Sequence, residues 1–124
     1  MKALSTTAAP AAIGPYSQAI MAGDTVYVSG QLPINPSKGE FAEGGIKEQA
    51  RQSLNNIKNI LAEAGMTMQQ VVKVTVLMTD MSDFAAVNEV YAEFFSAPYP
   101  ARSAFAVAAL PKGGAIEIEA VAVK

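Results

Sequence analysis

The chain contains no cysteine and no histidine. Without thiols there is no disulfide and no thiolate nucleophile, and without imidazole there is no Ser-His triad and none of the usual zinc sites. Acid and base chemistry must fall to carboxylates, tyrosine or lysine. Charge is scarce too: 16% of residues carry one, against about 25% in an average globular protein. The nine basic residues are scattered and the formal net charge is −2, which is not the footprint of a nucleic-acid binder. No run approaches the roughly 18 apolar residues of a membrane-spanning helix. The opening segment "MKALSTTAAPAAIGP" has one lysine and is interrupted by Pro10 and Pro15, so no signal peptide and no membrane partner are expected. A cytoplasmic protein is the default.

What is present is apolar. Hydrophobic residues make up 51% of 124 residues, and a chain of this size buries roughly two-thirds of its unfolded surface, enough for one domain with its own core. No repeat, linker or low-complexity tract divides it, so residues 1–124 are read as a single domain. So little polar material to coat a monomer points to oligomerisation.

Along the chain, "QAIMAGDTVYVSG" reads as a hairpin turning at Gly23-Asp24, with a β-branched and aromatic strand from Thr25 to Ser29. The Pro-, Gly- and Asn-rich stretch "QLPINPSKGEFAEGG" reads as a loop. From Ile46 the period changes: Ile46, Ala50, Leu54, Ile57, Leu61 and Ala64 recur at steps of three and four, and Gly65 supplies the stop. That predicts a long amphipathic helix. Residues 71–80 read as a strand with Val72, Val74, Val76 and Met78 on one face. A second helix is predicted from an N-cap at Ser82 or Asp83, with Phe84, Val87, Tyr91 and Phe94 on one stripe and a stop before Pro98. Strands at 103–110 and 115–123 finish the chain, the first reading as a buried strand.

The order β-β-α-β-α-β-β is an α+β arrangement in which two helices cover only one face of a sheet. On the last strand Ile116, Ile118, Ala120 and Ala122 face one way and Glu117, Glu119, Val121 and Val123 the other. Neither face is fully polar. Neighbouring subunits are the simplest cover for the face without helices.

A few residues stand out chemically. Arg102, one of two arginines, lies between Pro100 and an apolar run. It is either a surface or interface ion pair, or a fork offering two parallel donors to a carboxylate. Arg51, flanked by polar residues mid-helix, reads as part of a solvated face. Glu117 and Glu119 project the same way roughly 6.6 to 6.8 Å apart along a strand, as a salt-bridged rim or as a general acid/base with a pKa raised by partial burial. Spacing does not say which of the two would act. Gly14 and Gly30 permit tight turns or close approach of a ligand, beside the hydroxyls of Tyr16, Ser17 and Ser29. Asn88 interrupts the apolar stripe of the second helix and reads as a buried, satisfied amide. The six methionines read as core filler.

Taken together, "PAAIGPYSQAI", "VYVSGQLPINP", "ARQSLNNIKNIL", "VVKVTVLMTDMSDFAAVNEVYAEFF" and "PARSAFAVAALPKGGAIEIEA" closely resemble the RidA family, also called YjgF, of small enamine/imine deaminases. The resemblance runs from about residue 8 to the end, and its most specific part is "PARS" followed by "IEIEA". It implies a chorismate-mutase-like α+β subunit, a mixed sheet with two helices on one face, assembled as a homotrimer with active sites in clefts between subunits. It further implies hydrolysis of 2-imino acids such as 2-iminopropanoate and 2-iminobutanoate, arising from 2-aminoacrylate and its homologue released by pyridoxal-phosphate-dependent dehydratases, with no metal or organic cofactor. By the same resemblance Arg102 binds the substrate carboxylate, Glu117 positions water, and Tyr16, Ser29, Gly30 and Asn88 line or support the pocket. One departure stands in this stretch: many members have cysteine two residues after the motif arginine, where this chain has Ala104, removing a thiol from ligand contact. The competing expectation is a sensing or regulatory protein that holds a small carboxylate in the same cleft without turnover.

Overall fold

The computed structural model describes residues 1–124. Six strands form the main sheet: β1 (Lys2–Leu4), β2 (Ala19–Ala22), β3 (Thr25–Gln31), β6 (Val71–Met78), β7 (Ala101–Ala106) and β8 (Ile116–Val123). Their spatial order is β1-β2-β3-β8-β6-β7. All neighbours are antiparallel except β6 and β7, so the sheet is mixed. The hairpin turn falls at Gly23, whose φ of 60° is a left-handed conformation that glycine adopts without steric cost. The loop after β3 contains a small hairpin of its own, β4 (Ile34–Asn35) with β5 (Glu40–Phe41), turned by Asn35, whose Oδ1 accepts from the Ser37 backbone at 3.0 Å.

Helix α1 spans Ile46–Glu63 and ends as its sequence predicts. Gly65 takes φ 70°, its N–H donates to the Ala62 carbonyl, and the Met66 N–H reaches back to Leu61. This pairing satisfies carbonyls that the last turn would otherwise orphan. Helix α2 spans Phe84–Phe94. Asp83 occupies its N-cap position without a side-chain hydrogen bond; the capping carboxylate is Asp80, which accepts from Ser82 N at 2.9 Å at the preceding turn. The Ser82 hydroxyl first, and then that backbone bond, hold the Asp80 carboxyl below its ordinary range.

One apolar cluster joins the helices to the sheet. Leu54, Ile57, Ile60 and Leu61 of α1 and Val87 and Val90 of α2 are fully buried with Val26, Val74, Val76, Ile116 and Ile118. Each such side chain contributes about 1.5–3 kcal/mol by leaving water. The alternation on β8 is as expected: Ile116, Ile118, Ala120 and Ala122 are buried, whereas Glu117 and Val121 are half-buried and Glu119 and Val123 exposed.

Two expectations are corrected. Val72 is 46% exposed while Val71 is buried, because β6 bulges against β8: Val71 pairs with Ala122 and Lys73 with Val121, leaving Val72 as the extra residue. Alternation on the core face resumes with Val74, Val76 and Met78. The apolar run after Pro100 is not a buried strand. It forms β7 over Ala101–Ala106, at the sheet edge, with five of its six residues exposed and Phe105 48% exposed. Phe105 pairs with Leu77, which pairs with Glu117, so these three share the face without helices. No helix of the chain is long and apolar enough to cross a membrane.

Candidate active site

Parity along the strands separates the two residues of greatest chemical interest. Arg102 pairs with Val74, whose side chain is in the core, so it leans to the helix side of the edge strand β7. Glu117 lies on the opposite face of β8. Within one chain they line different cavities.

The first cavity, about 610 Å³, holds Glu117 and Glu119 together with Tyr16, Ser29 and Gly30. Its floor is a local irregularity of β3: pairing with β8 is regular through Val28, then shifts before Gln31. Ser29 and Gly30 occupy that shift. Bulges re-aim side chains at such places. Here the Ser29 hydroxyl donates to the Ser17 carbonyl at 2.6 Å, and its N–H donates to the Gln18 carbonyl at 3.0 Å. The Ser29 hydroxyl proton is thus committed to tethering the segment that carries Tyr16; its lone pairs remain free to accept. Gly30 is required by proximity. A Cβ built there would stand 2.8 Å from Cδ and 2.9 Å from Oε2 of Glu117.

Burial is the leading cause that raises the Glu117 carboxyl above its ordinary range, and the neighbouring Glu119 adds to it. That combination suits proton transfer near neutral pH. Tyr16 is 54% exposed at the mouth. Lys112 is the one cation among the residues around this cavity; its φ of 57° makes it the chain's single non-glycine residue in the left-handed region.

The second cavity, about 460 Å³, is lined by Arg102, Asn88, Tyr91, Tyr99 and Pro100. Arg102 donates to Asn88 Oδ1 at 2.8 Å, and its guanidinium carbon stands 4.7 Å from the Tyr91 ring centre and 5.3 Å from that of Phe84. A planar cation stacked on rings and held by a neutral amide keeps its charge uncompensated. Neither ion pair of the chain involves it. Asn88 is half-exposed rather than buried, a correction explained by this role: its carbonyl serves Arg102. The Tyr91 hydroxyl is buried with no hydrogen-bond partner, and burial raises its pKa while Arg102 opposes the rise. Ala104, two residues along β7, is half-buried and lines neither cavity. Arg51 is half-exposed and paired, gripping Glu93 of α2 at 2.8 and 3.0 Å.

Residues that the sequence reading passed over support the first cavity. Asn56 of α1, fully buried, donates to the carbonyls of Leu32 and Ile34 at 3.3 and 3.0 Å, fixing the loop that forms one wall. Gln18, also buried, binds the N-terminal segment that forms another. Buried amides have obligatory partners, but Gln18 stands between Ser17 and Ala19 and Asn56 between Asn55 and Ile57, so no local pattern marks them.

Comparison with known proteins identifies the family. Residues 6–124 match the family model described as Endoribonuclease L-PSP. A curated relative from Capra hircus named 2-iminobutanoate/2-iminopropanoate deaminase is 54% identical over 121 residues, covering 98% of this chain and 88% of that protein. The crystal structure of RidA from the Antarctic bacterium Psychrobacter sp. PAMC 21119 superposes with a TM-score of 0.96 at 51% identity, covering all of both chains. That of E. coli TdcF with bound serine gives 0.95 at 46% identity, covering 100% of this chain and 99% of the other. With matches of this extent, the chain belongs to the Endoribonuclease L-PSP family, the family of RidA and YjgF.

Proposed function

We propose that this chain, acting as one domain over residues 1–124, is a 2-iminobutanoate/2-iminopropanoate deaminase. Water adds to the imine carbon of a 2-imino acid, the C–N bond breaks, and a 2-keto acid and ammonia leave. Full-length relatives carrying that name support the activity. The single observation that carries the chemistry is an unneutralised guanidinium beside a cavity: Arg102 is oriented by Asn88 and two rings, with no carboxylate of its own. Such a fork receives a substrate carboxylate with two charge-assisted bonds.

Glu117 supplies the other half. Half-buried, with its pKa raised, it orients water as a carboxylate and carries a proton toward the departing nitrogen. Positioning of this kind supplies several kcal/mol of acceleration. Because Arg102 and Glu117 lie on opposite faces within a chain, the complete site requires a second subunit. The exposed apolar edge at β7 and the half-covered face bearing Phe105, Leu77 and Val121 favour such an assembly. We take it to be a homotrimer of chorismate-mutase-like subunits, in the cytoplasm, with substrate supplied by pyridoxal-phosphate-dependent dehydratases. No metal or organic cofactor enters the proposed step.

The relative with bound serine favours a second reading, retention of a small carboxylate without turnover. The family description also mentions an endoribonuclease, but two glutamates in the main cavity and a net charge of −2 repel a phosphate backbone. A dehydratase-coupled assay decides. Ammonia release from 2-iminobutanoate above the uncatalysed rate, lost in Arg102→Ala, supports the deaminase; binding of 2-ketobutyrate without turnover supports retention.

A further inference from the structure

The first part of the segment between β1 and β2, residues 5–13, has little backbone pairing. Apart from one turn at Thr7–Ala8, these residues belong to no strand or helix and have no ladder partner. Yet this stretch supplies Pro10, Ala11 and Ile13 to the cavity that holds Glu117, and Ala9 is buried in the core. Irregular backbone that is neither paired nor fastened frays.

Its main fastening is one carboxamide. Gln18, 3% exposed, accepts from Thr6 N at 2.7 Å through Oε1 and donates through Nε2 to the carbonyls of Thr6 at 3.0 Å and Pro10 at 2.7 Å, with that of Ala9 at 3.4 Å. One side chain therefore binds both ends of the five residues 6–10. The pattern fixes the amide's orientation, since reversing it would set NH₂ against the Thr6 N–H. A second tie comes from α1: Asn59 Nδ2 donates to the Ala8 carbonyl at 2.9 Å.

We propose that Gln18 is a positioning residue that straps residues 6–10 to the sheet and so holds Pro10, Ala11 and Ile13 as the apolar wall against which the substrate's side chain packs, with Asn59 as a subsidiary tie. The inference rests on the deaminase reading for its substrate. Glu117 and Gly30 belong to β8 and β3, not to the strap, so losing the strap loosens binding and spares chemistry. A group that contributes equally to ground and transition states changes KM and leaves kcat.

The test compares Gln18→Leu and Asn59→Ala with the wild type. Measured quantities are kcat and KM for 2-iminobutanoate, calorimetric affinity for 2-ketobutyrate, and amide hydrogen exchange. Expected in Gln18→Leu is a KM raised about tenfold, the worth of one lost apolar contact, with kcat within about twofold. Exchange should quicken at Thr6, whose N–H the Gln18 carbonyl oxygen holds, with the amides of the sheet and helices unchanged, and Asn59→Ala should show the change in KM to a smaller degree. Should Gln18→Leu fail to fold, Asn59→Ala, altered only at an exposed bond, decides. Unchanged KM and 2-ketobutyrate affinity, or a fall in kcat at constant KM, would overturn the proposal. A wild type that binds 2-ketobutyrate but does not turn over, with affinity weakened in both variants, would remove the deaminase and keep the strap.

Discussion

The Glu117 carboxyl group fills the space where a side chain on Gly30 would begin: a Cβ at position 30 would lie 2.8 Å from its Cδ. The two residues belong to adjacent strands, β8 and β3, at the point where their pairing shifts. The absence of a side chain at position 30 therefore sets where the carboxylate sits.

Gly30→Ala should move Glu117 rather than unfold the protein, because the obstructing atoms are the far end of a flexible side chain. We expect kcat to fall by about tenfold to a hundredfold, the usual effect of about 1 Å of misplacement. The melting temperature should stay within a few degrees of wild type. Steady-state rates beside a thermal melt check both halves; a retained kcat would detach Glu117 from the chemistry.

The pH dependence follows from the raised Glu117 pKa, caused first by burial and then by Glu119. Water activation needs the carboxylate, so kcat/KM should rise with pH through a midpoint above the ordinary carboxylate range. Glu119→Gln removes a like charge and should move that midpoint to lower pH; Glu117→Gln should abolish the rise along with most turnover. Stability runs the other way. The folded state prefers protonated Glu117, so its stability is greatest below the unfolded-chain pKa and declines as pH climbs through the folded value. Urea melts across that window should show the decline in the wild type and a flatter profile in Glu117→Gln.

Asn88 orients Arg102 without neutralising it. Asn88→Asp places a carboxylate within reach of the guanidinium and should compete with the substrate, raising KM by about tenfold or more, since charge-assisted Arg–carboxylate bonds are the strong ones. Asn88→Ala should raise KM less. Equal KM values in both variants would mean that the amide has no part in holding the cation.

The bulge in β6 makes a contrast between neighbours. Val74→Thr buries a hydroxyl in the core and should cost about 1–3 kcal/mol, whereas Val72→Thr, on the extra residue, should stay within about 0.5 kcal/mol. Chemical denaturation of both variants checks the register.

Much of the scaffold is legible in the sequence for physical reasons. A period of three and four from Ile46 with a glycine stop admits little but α1, and the alternation from Ile116 to Val123 admits little but β8. Alternation cannot reveal a bulge, because one inserted residue leaves the composition untouched; hence Val72 reads as a core-face residue but is exposed. The run at 103–110 reads as buried because an exposed apolar edge strand has the same composition as a core strand. β1 has three residues and no pattern. The pairing of Asn88 with Arg102 joins α2 to β7 across 14 positions, a relationship that exists only once the helix has packed. Residue types in the site were legible, but the strand faces that part Arg102 from Glu117 emerged with the sheet register.

The proposal that each site draws on two chains is tested most directly by mixing inactive subunits. Arg102→Ala and Glu117→Gln proteins, each pure and inactive, are denatured together in equal amounts, refolded, and assayed for 2-iminobutanoate hydrolysis. If each site takes its arginine from one subunit and its glutamate from the neighbour, random assembly restores about one quarter of the sites, and activity returns to about one quarter of wild type. Mixtures that stay inactive, while a wild-type control recovers fully, would place both groups in one subunit and contradict the inter-subunit site.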